Sequence, residues 1–456
     1  MKIKFLNVYT VLGVLFIIIQ QAIVATSTAL IAQLSQSIMT GGNHLFWLTM
    51  FVLSLTIVYI PTLLTNLFIN KARYFTYYEY ISKFCEVAYN SPNRYFNASF
   101  RKEKETYFSH ESWLIIQENY SFIVNVFSVV LNVLFNVIVL SFYLDWAFLV
   151  SYAVAIPLTS FCVIFSKSRL QRKSDKLQKS RNEMMQTINQ GWDTILIGNM
   201  WNVSIWKQRF VKRCTLAGSS QRKLTLEIDI ASTITLVVSS FPILIVLFNS
   251  FIRASDDVQM LAMLVATAPR QVLTIQYLSD IIGLFVNLND KLRRTRQLSA
   301  NLDFDKMPAG DGGRIAWGNL YIENKKGRVA LNAFDDLVAA TSDFTKGRYT
   351  IVGDNGAGKT TLLSLIKLEL HDKAFLLPSQ SKMAFLNDDD KEYSTGEKTV
   401  ANLGEIFNHT NDAPINVLLL DEWNANLDKV NIDNTNRIID KLSESICVIE
   451  VLHKDA

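Results

Sequence analysis

The chain has 456 residues, of which 50% are hydrophobic and only 19% charged, with a mean hydropathy of +0.18. That composition excludes a disordered or collagen-like chain and is too apolar for an ordinary soluble protein of this size. The formal charge of +4 conceals an asymmetry. Residues 1–300 carry 28 Lys and Arg against 16 Asp and Glu, and residues 301–456 carry 17 against 25, so two regions with different solvents are expected. The four cysteines (Cys85, Cys162, Cys214, Cys447) are scattered, without the spacing of a disulfide framework or a zinc site.

Six apolar stretches are long enough to cross about 30 Å of hydrocarbon, at about 8–33, 45–69, 120–143, 145–166, 228–252 and 258–286. The third and fourth are joined by little more than Leu144-Asp145-Trp146 and predict a tight helical hairpin. Read as core helices of a soluble protein, six such stretches leave too little amphipathic sequence to cover them. The loops 70–118 and 167–223 and the run Lys291-Leu-Arg293-Arg294-Thr-Arg296 are rich in Lys and Arg, while 34–44, 144–146 and 253–257 offer only Arg253. Both termini and the long loops are therefore expected on the cytoplasmic side of the cell membrane. The first span is too long for a signal peptide and lacks a small-residue cleavage site, so an anchor is expected.

The two long loops lack Pro/Gly-rich linker character and predict helical extensions of the spans, one through Lys71–Ala88 and another over Ser168–Gln190. Within the spans, Asn125, Asn132 and Asn136 fall on one helical face, the pattern of interhelical hydrogen bonding. Gln20 and Gln21 sit within the first span. Arg270 follows Pro269 in the sixth, where a cation should face a wet cavity or pair with an acid. Asp280, ten residues on, is too far along the helix to pair directly.

From about residue 313 the sequence turns to short β-type runs, charged turns and glycine. Arg348-Tyr-Thr-Ile-Val352 predicts a strand that runs into Gly353-Asp354-Asn355-Gly356-Ala357-Gly358-Lys359-Thr360-Thr361, followed by an apolar helix over Leu362–Leu370. This is the phosphate-binding pattern GxxxxGK[ST] in its strand–loop–helix context. Glycines let backbone N–H groups curl around phosphates at a helix N-terminus. Lys359 would reach the β- and γ-phosphates and Thr360 would ligate Mg²⁺. Ile415-Asn-Val-Leu-Leu-Leu420 predicts a buried strand ending in Asp421-Glu422, which suits Asp421 to Mg²⁺ and Glu422 to the role of general base.

On these residues the chain resembles the ATP-binding-cassette exporters, six spans fused to one cassette, over nearly its whole length. The resemblance implies an α-helical six-span membrane domain of the exporter type over 1–300 and an α/β P-loop NTPase domain over 313–456, with ATP and Mg²⁺ as cofactors. It places Ser394, Thr395 and Gly396 at the signature that faces the nucleotide of an opposite subunit, and Asp428 in the loop at the dimer seam. Gln380 falls at the glutamine that contacts metal and water, and His453 at the histidine that touches the γ-phosphate. Ser91-Pro92-Asn-Arg-Tyr95-Phe96 and Thr187–Phe210 resemble the coupling regions of the two loops. Trp423 after Asp421-Glu422, and Thr395 in place of the signature's first Gly, resemble the narrower branch that exports cyclic or lasso-type peptides.

The chain also departs from that family. Only 21 residues separate Lys359 from Gln380 and 14 separate Gln380 from Ser394, so most of the cassette's helical subdomain is missing. Asn324 stands where an aromatic would stack on adenine, with Tyr321 and Trp317 nearby. Glu397 puts a negative charge beside a phosphate. The resemblance implies a homodimer in membrane lipid that exports a peptide or small amphipathic compound by ATP hydrolysis, and nucleic acid is not an expected partner. The alternative is a regulatory or assembly membrane protein that senses ATP with weak or no hydrolysis.

Overall fold

The computed structural model describes residues 4–95, 97, 100–101, 104–105, 107–304, 315–325, 327–378, 383–385, 395–409, 415–425 and 427–452. The side chains at 93, 278–279, 282–283, 285–286, 395–398 and 409 are outside that description. The chain forms two compact units. One comprises residues 2–79 and 112–299; the other joins 80–111 to 300–456.

The first unit is helical: α1 (Val8–Thr40), α2 (His44–Ile57), α3 (Tyr59–Tyr89), α4 (Ser112–Tyr143), α5 (Ala147–Asn189), α6 (Gly191–Leu196), α7 (Met200–Arg253) and α8 (Val258–Ala300). Among the described residues, six helical segments are long and apolar enough to span a membrane. Pro61 lacks the N–H a helix needs and crowds the preceding turn, which accounts for the break between α2 and α3. The residues exposed along the spans include Leu53, Leu63, Phe161, Phe165, Phe241 and Phe248, an apolar surface suited to lipid and not to water.

A chain of polar side chains links α1 and α4. Asn132 Nδ2 donates to Gln21 Oε1 at 2.8 Å, Asn136 Nδ2 to Asn132 Oδ1 at 3.1 Å, and Thr28 Oγ1 to Asn136 Oδ1 at 3.0 Å. The three asparagines do not act together: Asn132 and Asn136 are buried in this chain, whereas Asn125 is exposed. A second polar knot ties the start of α1 to α3 and α4. There Tyr120, fully buried, lies 2.8 Å from Thr76 Oγ1, donates to Phe5 O at 2.9 Å and accepts from Asn7 Nδ2 at 3.1 Å.

Helices α5 and α7 overrun any bilayer. At about 1.5 Å per residue, the 54 residues of α7 span about 80 Å against about 30 Å of hydrocarbon. Their extensions pack through a seam of Val163, Leu170 and Leu177 on α5 and Leu224 and Ala231 on α7. The seven-residue spacing is that of a coiled coil. Glu227 beside the seam pairs with Arg169 and Lys173.

The second unit is built on a six-stranded sheet in the order β2-β1-β3-β6-β5-β4, with β1 Leu320–Asn324, β2 Gly327–Leu331, β3 Gly347–Gly353, β4 Ala374–Pro378, β5 Val417–Asp421 and β6 Cys447–Val451. Strands β3, β6, β5 and β4 are mutually parallel, and β1 and β2 add an antiparallel edge. β5 is buried at every position because helices cover both faces. Val417 and Leu419 join Leu362, Leu363 and Ile366 of α10 (Lys359–Leu370). Leu418 and Leu420 join Leu403 of α11 (Thr395–His409) and Ile439 of α12 (Lys429–Ser443). The short helix α9 (Phe334–Ala340) follows β2.

Residues 80–111 belong to this same unit. The turn Pro92–Arg94 lies against α10, and Phe84 and Phe100 meet Phe304 edge-on at 5.5 and 5.1 Å between ring centroids. Lys104 Nζ donates to Asn301 O at 3.1 Å and lies over the Phe304 ring. Helix α3 is therefore shared: it starts in the membrane-type unit and its last residues, from Tyr80, pack with the sheet unit.

Replacing Asn132 with Leu leaves the Gln21 acceptor unpaired between helices. It is expected to cost about 1 kcal/mol, seen as a lower thermal midpoint of the solubilised protein. Asn125→Leu is expected to leave the midpoint unchanged or raise it.

Candidate functional site

The C-terminal ends of the parallel strands β3, β5 and β6 meet at one edge of the sheet, the place where open α/β sheets take ligands. The turn after β3 is tightly shaped by glycine. A Cβ on Gly353 would stand 2.6 Å from Leu320 Cδ2 and 3.0 Å from Asn319 O, and Gly358 has φ +92 as the residue that caps α10. Ala357 N donates back to Asp354 O at 3.1 Å. The first N–H groups of α10, from Lys359, have no carbonyl within the helix to bond, so this end can accept an anion. Lys359 Nζ curls over the turn and donates to Gly353 O at 2.9 Å and Asp354 O at 3.2 Å, which holds its charge above those amides.

Thr360, one residue on, reaches across to β5. Its Oγ1 lies 3.1 and 3.0 Å from the two carboxylate oxygens of Asp421. Asp421 is buried, and burial pushes its carboxyl above the usual carboxylate range; the Thr360 hydrogen bond and the Lys359 charge oppose that, while the Glu422 charge adds to it. One buried carboxylate and one hydroxyl are a sparse donor set. That fits Mg²⁺, which keeps waters and takes its remaining oxygens from a substrate's phosphates. Among the described residues no group of three or more His, Cys, Asp or Glu side chains could hold a metal by itself.

Glu422 follows directly and has φ +49, a left-handed conformation uncommon outside glycine. Its amide donates to Val451 O at 2.9 Å and its carbonyl accepts from Ala425 N at 3.1 Å. What holds the turn is next to it. The buried Trp423 indole donates from Nε1 to Glu450 Oε2 at 2.9 Å. Glu450, 2% exposed on β6, also accepts from Arg348 Nε at 2.8 Å and Nη2 at 3.0 Å, and from Thr350 Oγ1 at 3.2 Å. Arg348 is held in turn by Asp440 at 2.9 Å and Asn436 at 2.7 Å. In the sequence Trp423 stands out only through the family resemblance, Arg348 only as part of a strand, and Glu450 belongs to no motif. The signal was present: an acid inside the apolar run Ile446-Cys-Val-Ile-Glu-Val451 cannot stay buried without partners.

The structure thus brings together the turn 353–358, Lys359, Thr360, Asp421 and Glu422, and Thr361 follows in the first turn of α10. Asp428 acts as the N-cap of α12, its side chain accepting from Asn431 N at 2.8 Å. Gln380, Ser394 and His453 lie outside the described residues; Thr395 and Gly396 open α11, with only their backbone described. Near the anticipated adenine position, Arg328 stacks over the Tyr321 ring at 4.0 Å, and Trp317 packs against the core.

The chain matches none of the known protein-family models and none of the curated proteins.

Because burial raises the Asp421 pKa, its charged form weighs against the fold at neutral pH, and the cost is relieved as pH falls through that raised value towards the ordinary ~4. Asp421→Asn keeps an acceptor for Thr360 without the charge. In EDTA it is expected to raise the thermal midpoint by about 2–4 °C, the scale of ~1 kcal/mol in a domain of this size; a lowered midpoint would contradict the assignment.

Proposed function

We propose that the chain is one half of a homodimeric ATP-driven exporter of the ATP-binding-cassette type. The observation that carries the reading is the Thr360–Asp421 pair, 3.0 Å apart at the mouth of a GxxxxGK[ST] turn. In this reading the turn and the first amides of α10 hold the phosphates, Lys359 neutralises them, and Thr360 and Asp421 supply the protein's ligands to Mg²⁺. The metal ion, when bound, offsets charge on the phosphate oxygens. Glu422, set in its strained turn by the Trp423–Glu450 hydrogen bond, takes the proton of the attacking water.

The route from nucleotide to membrane runs through the first loop. The Pro92–Arg94 turn rests on α10, whose first residues are Lys359 and Thr360, and Lys367 of the same helix lies 5.8 Å from the Tyr89 ring at the end of α3. A shift of α10 on nucleotide closure would be passed to the last turns of α3, a helix whose first residues belong to the other unit. The second loop offers a contact to the other copy. Its tip exposes Trp192, Leu196, Ile197, Met200 and Trp201, and the sheet unit carries an open apolar groove of about 500 Å³ lined by Phe375, Met383, Phe385, Ile406 and Ile415. Seating the one in the other across a dimer would bury both.

A single 15-residue helix, α11, is described between β4 and β5, and so reduced a subdomain favours the second reading, a membrane protein that senses ATP without appreciable turnover. Purified protein in lipid separates the two. The exporter should show vanadate-sensitive Mg²⁺-ATPase activity that Glu422→Gln lowers by 10²–10⁴-fold with ATP binding retained, the range of a general base. Binding without turnover in the wild type would establish the sensor.

A further inference from the structure

Arg270 is a cation placed where a cation needs an anion. It lies in the sixth membrane-length segment, Val258–Tyr277, twelve residues or about 18 Å along the axis from its start. Among the described residues no carboxylate pairs with it. Its one side-chain hydrogen bond, 3.0 Å from Nη2, goes to Ser27 Oγ. Ser27 is 2% exposed and is pinned by its own donation to Val24 O at 2.6 Å, so its lone pairs face the guanidinium and fix its orientation. A hydroxyl carries no charge, and among the described residues four of the five guanidinium N–H donors have no partner.

The position argues against snorkelling to a membrane surface. Ser27 stands nineteen residues from one end of α1 and thirteen from the other, about 28 and 20 Å of helix. Lipid phosphates sit at the interface, so the missing counter-charge is not a headgroup. Nor does Arg270 stand alone. Ser27 adjoins Thr28, the end of the polar track through Asn136 and Asn132 to Gln21. Gln271, 1% exposed, has an Oε1 without a hydrogen-bond partner. Ionisable groups within membrane segments are retained where they serve a pathway or a ligand.

We infer that Arg270 and Ser27 form an anion-binding site inside the membrane for a carboxylate carried on an apolar body. The carboxylate takes two parallel N–H donors of the guanidinium, and the apolar body replaces lipid against the surrounding helices. Naming that compound as cargo rests on the export reading; the site itself does not.

The test uses the full-length protein in nanodiscs of zwitterionic phosphatidylcholine, without nucleotide, and measures binding of radiolabelled decanoate against decanol. The wild type should prefer decanoate by at least tenfold. Arg270→Gln should abolish the preference, Arg270→Lys should keep part of it, and Ser27→Ala should weaken decanoate two- to fivefold with decanol unchanged. Thermal midpoints identify a variant that fails to fold, in which case Ser27→Ala and Arg270→Lys decide. Equal affinities in the wild type, or a preference that survives Arg270→Gln, overturn the site. So does an Arg270→Gln protein that falls from dimer to monomer while the wild type shows no preference, since the cation then pairs with a second copy. Decanoate selectivity in a protein without ATPase activity supports the site and defeats only the pump.

Discussion

Helix continuity is the constraint on which the rest depends. A backbone segment in hydrocarbon has to satisfy its own hydrogen bonds, which makes each crossing a stiff rod, and here the rods do not stop where the hydrocarbon does. Helix α7 has about 50 Å more length than a bilayer requires, and α5 runs alongside it through a heptad seam. Such an extension would be wasteful as a mere loop, because every added residue costs conformational entropy to order. In the proposed exporter it would serve as a lever, because packed apolar seams transmit displacement with little compliance. Helix α3 adds the other requirement, a covalent element that starts among the spans and carries Phe84 against Phe304 and Tyr89 beside Lys367 of α10.

Among the described residues the sheet unit has two buried acids, at or next to the ends of neighbouring strands, and their surroundings differ. Glu450 receives four hydrogen bonds, two from Arg348 and one each from Thr350 and Trp423. Its charge is matched in place, and it serves to fix the turn that carries Glu422. Asp421 receives one neutral hydroxyl and is pushed towards its protonated form by burial. A carboxylate left so poorly served costs stability, and under the proposed function a bound cation would recover that cost. The strand ends therefore divide the work, one acid structural and the other available.

Local chemistry was legible in the sequence wherever a short stretch carried it whole. The strand–glycine turn–helix of 347–370, the buried strand before Asp421 and the six apolar stretches each declare themselves by period and punctuation. Relations between distant stretches were less legible. The spacings 163, 170, 177 and 224, 231 could have been read as heptads, but they start inside spans and end in charged loops, so neither segment looks like a coiled coil by itself. Asn125 shares a helical face with Asn132 and Asn136, yet no helix covers it; angular position does not say where a neighbour ends. That residues 80–111 pack with the sheet unit depends on Phe84, Phe100 and Phe304 meeting from opposite ends of the chain, and no local pattern reports it.

Arg270 and Asp421 present the same physical situation with opposite sign. Each is a charge withdrawn from water and met, among the described residues, by a single neutral hydroxyl: Ser27 for the one and Thr360 for the other. Elsewhere this chain matches its ions generously, as Glu227 with Arg169 and Lys173, or Glu118 with Lys291 and Arg294, shows. A fold able to supply two cations to a partly exposed acid is not short of partners. Leaving one charge under-served in the membrane unit and one at the sheet edge costs stability at two places, and at Asp421 protonation relieves that cost as pH falls. Conformational coupling needs ligands that favour one state over another. Under the proposed function, charges whose pairing is left to a ligand would build in such a preference.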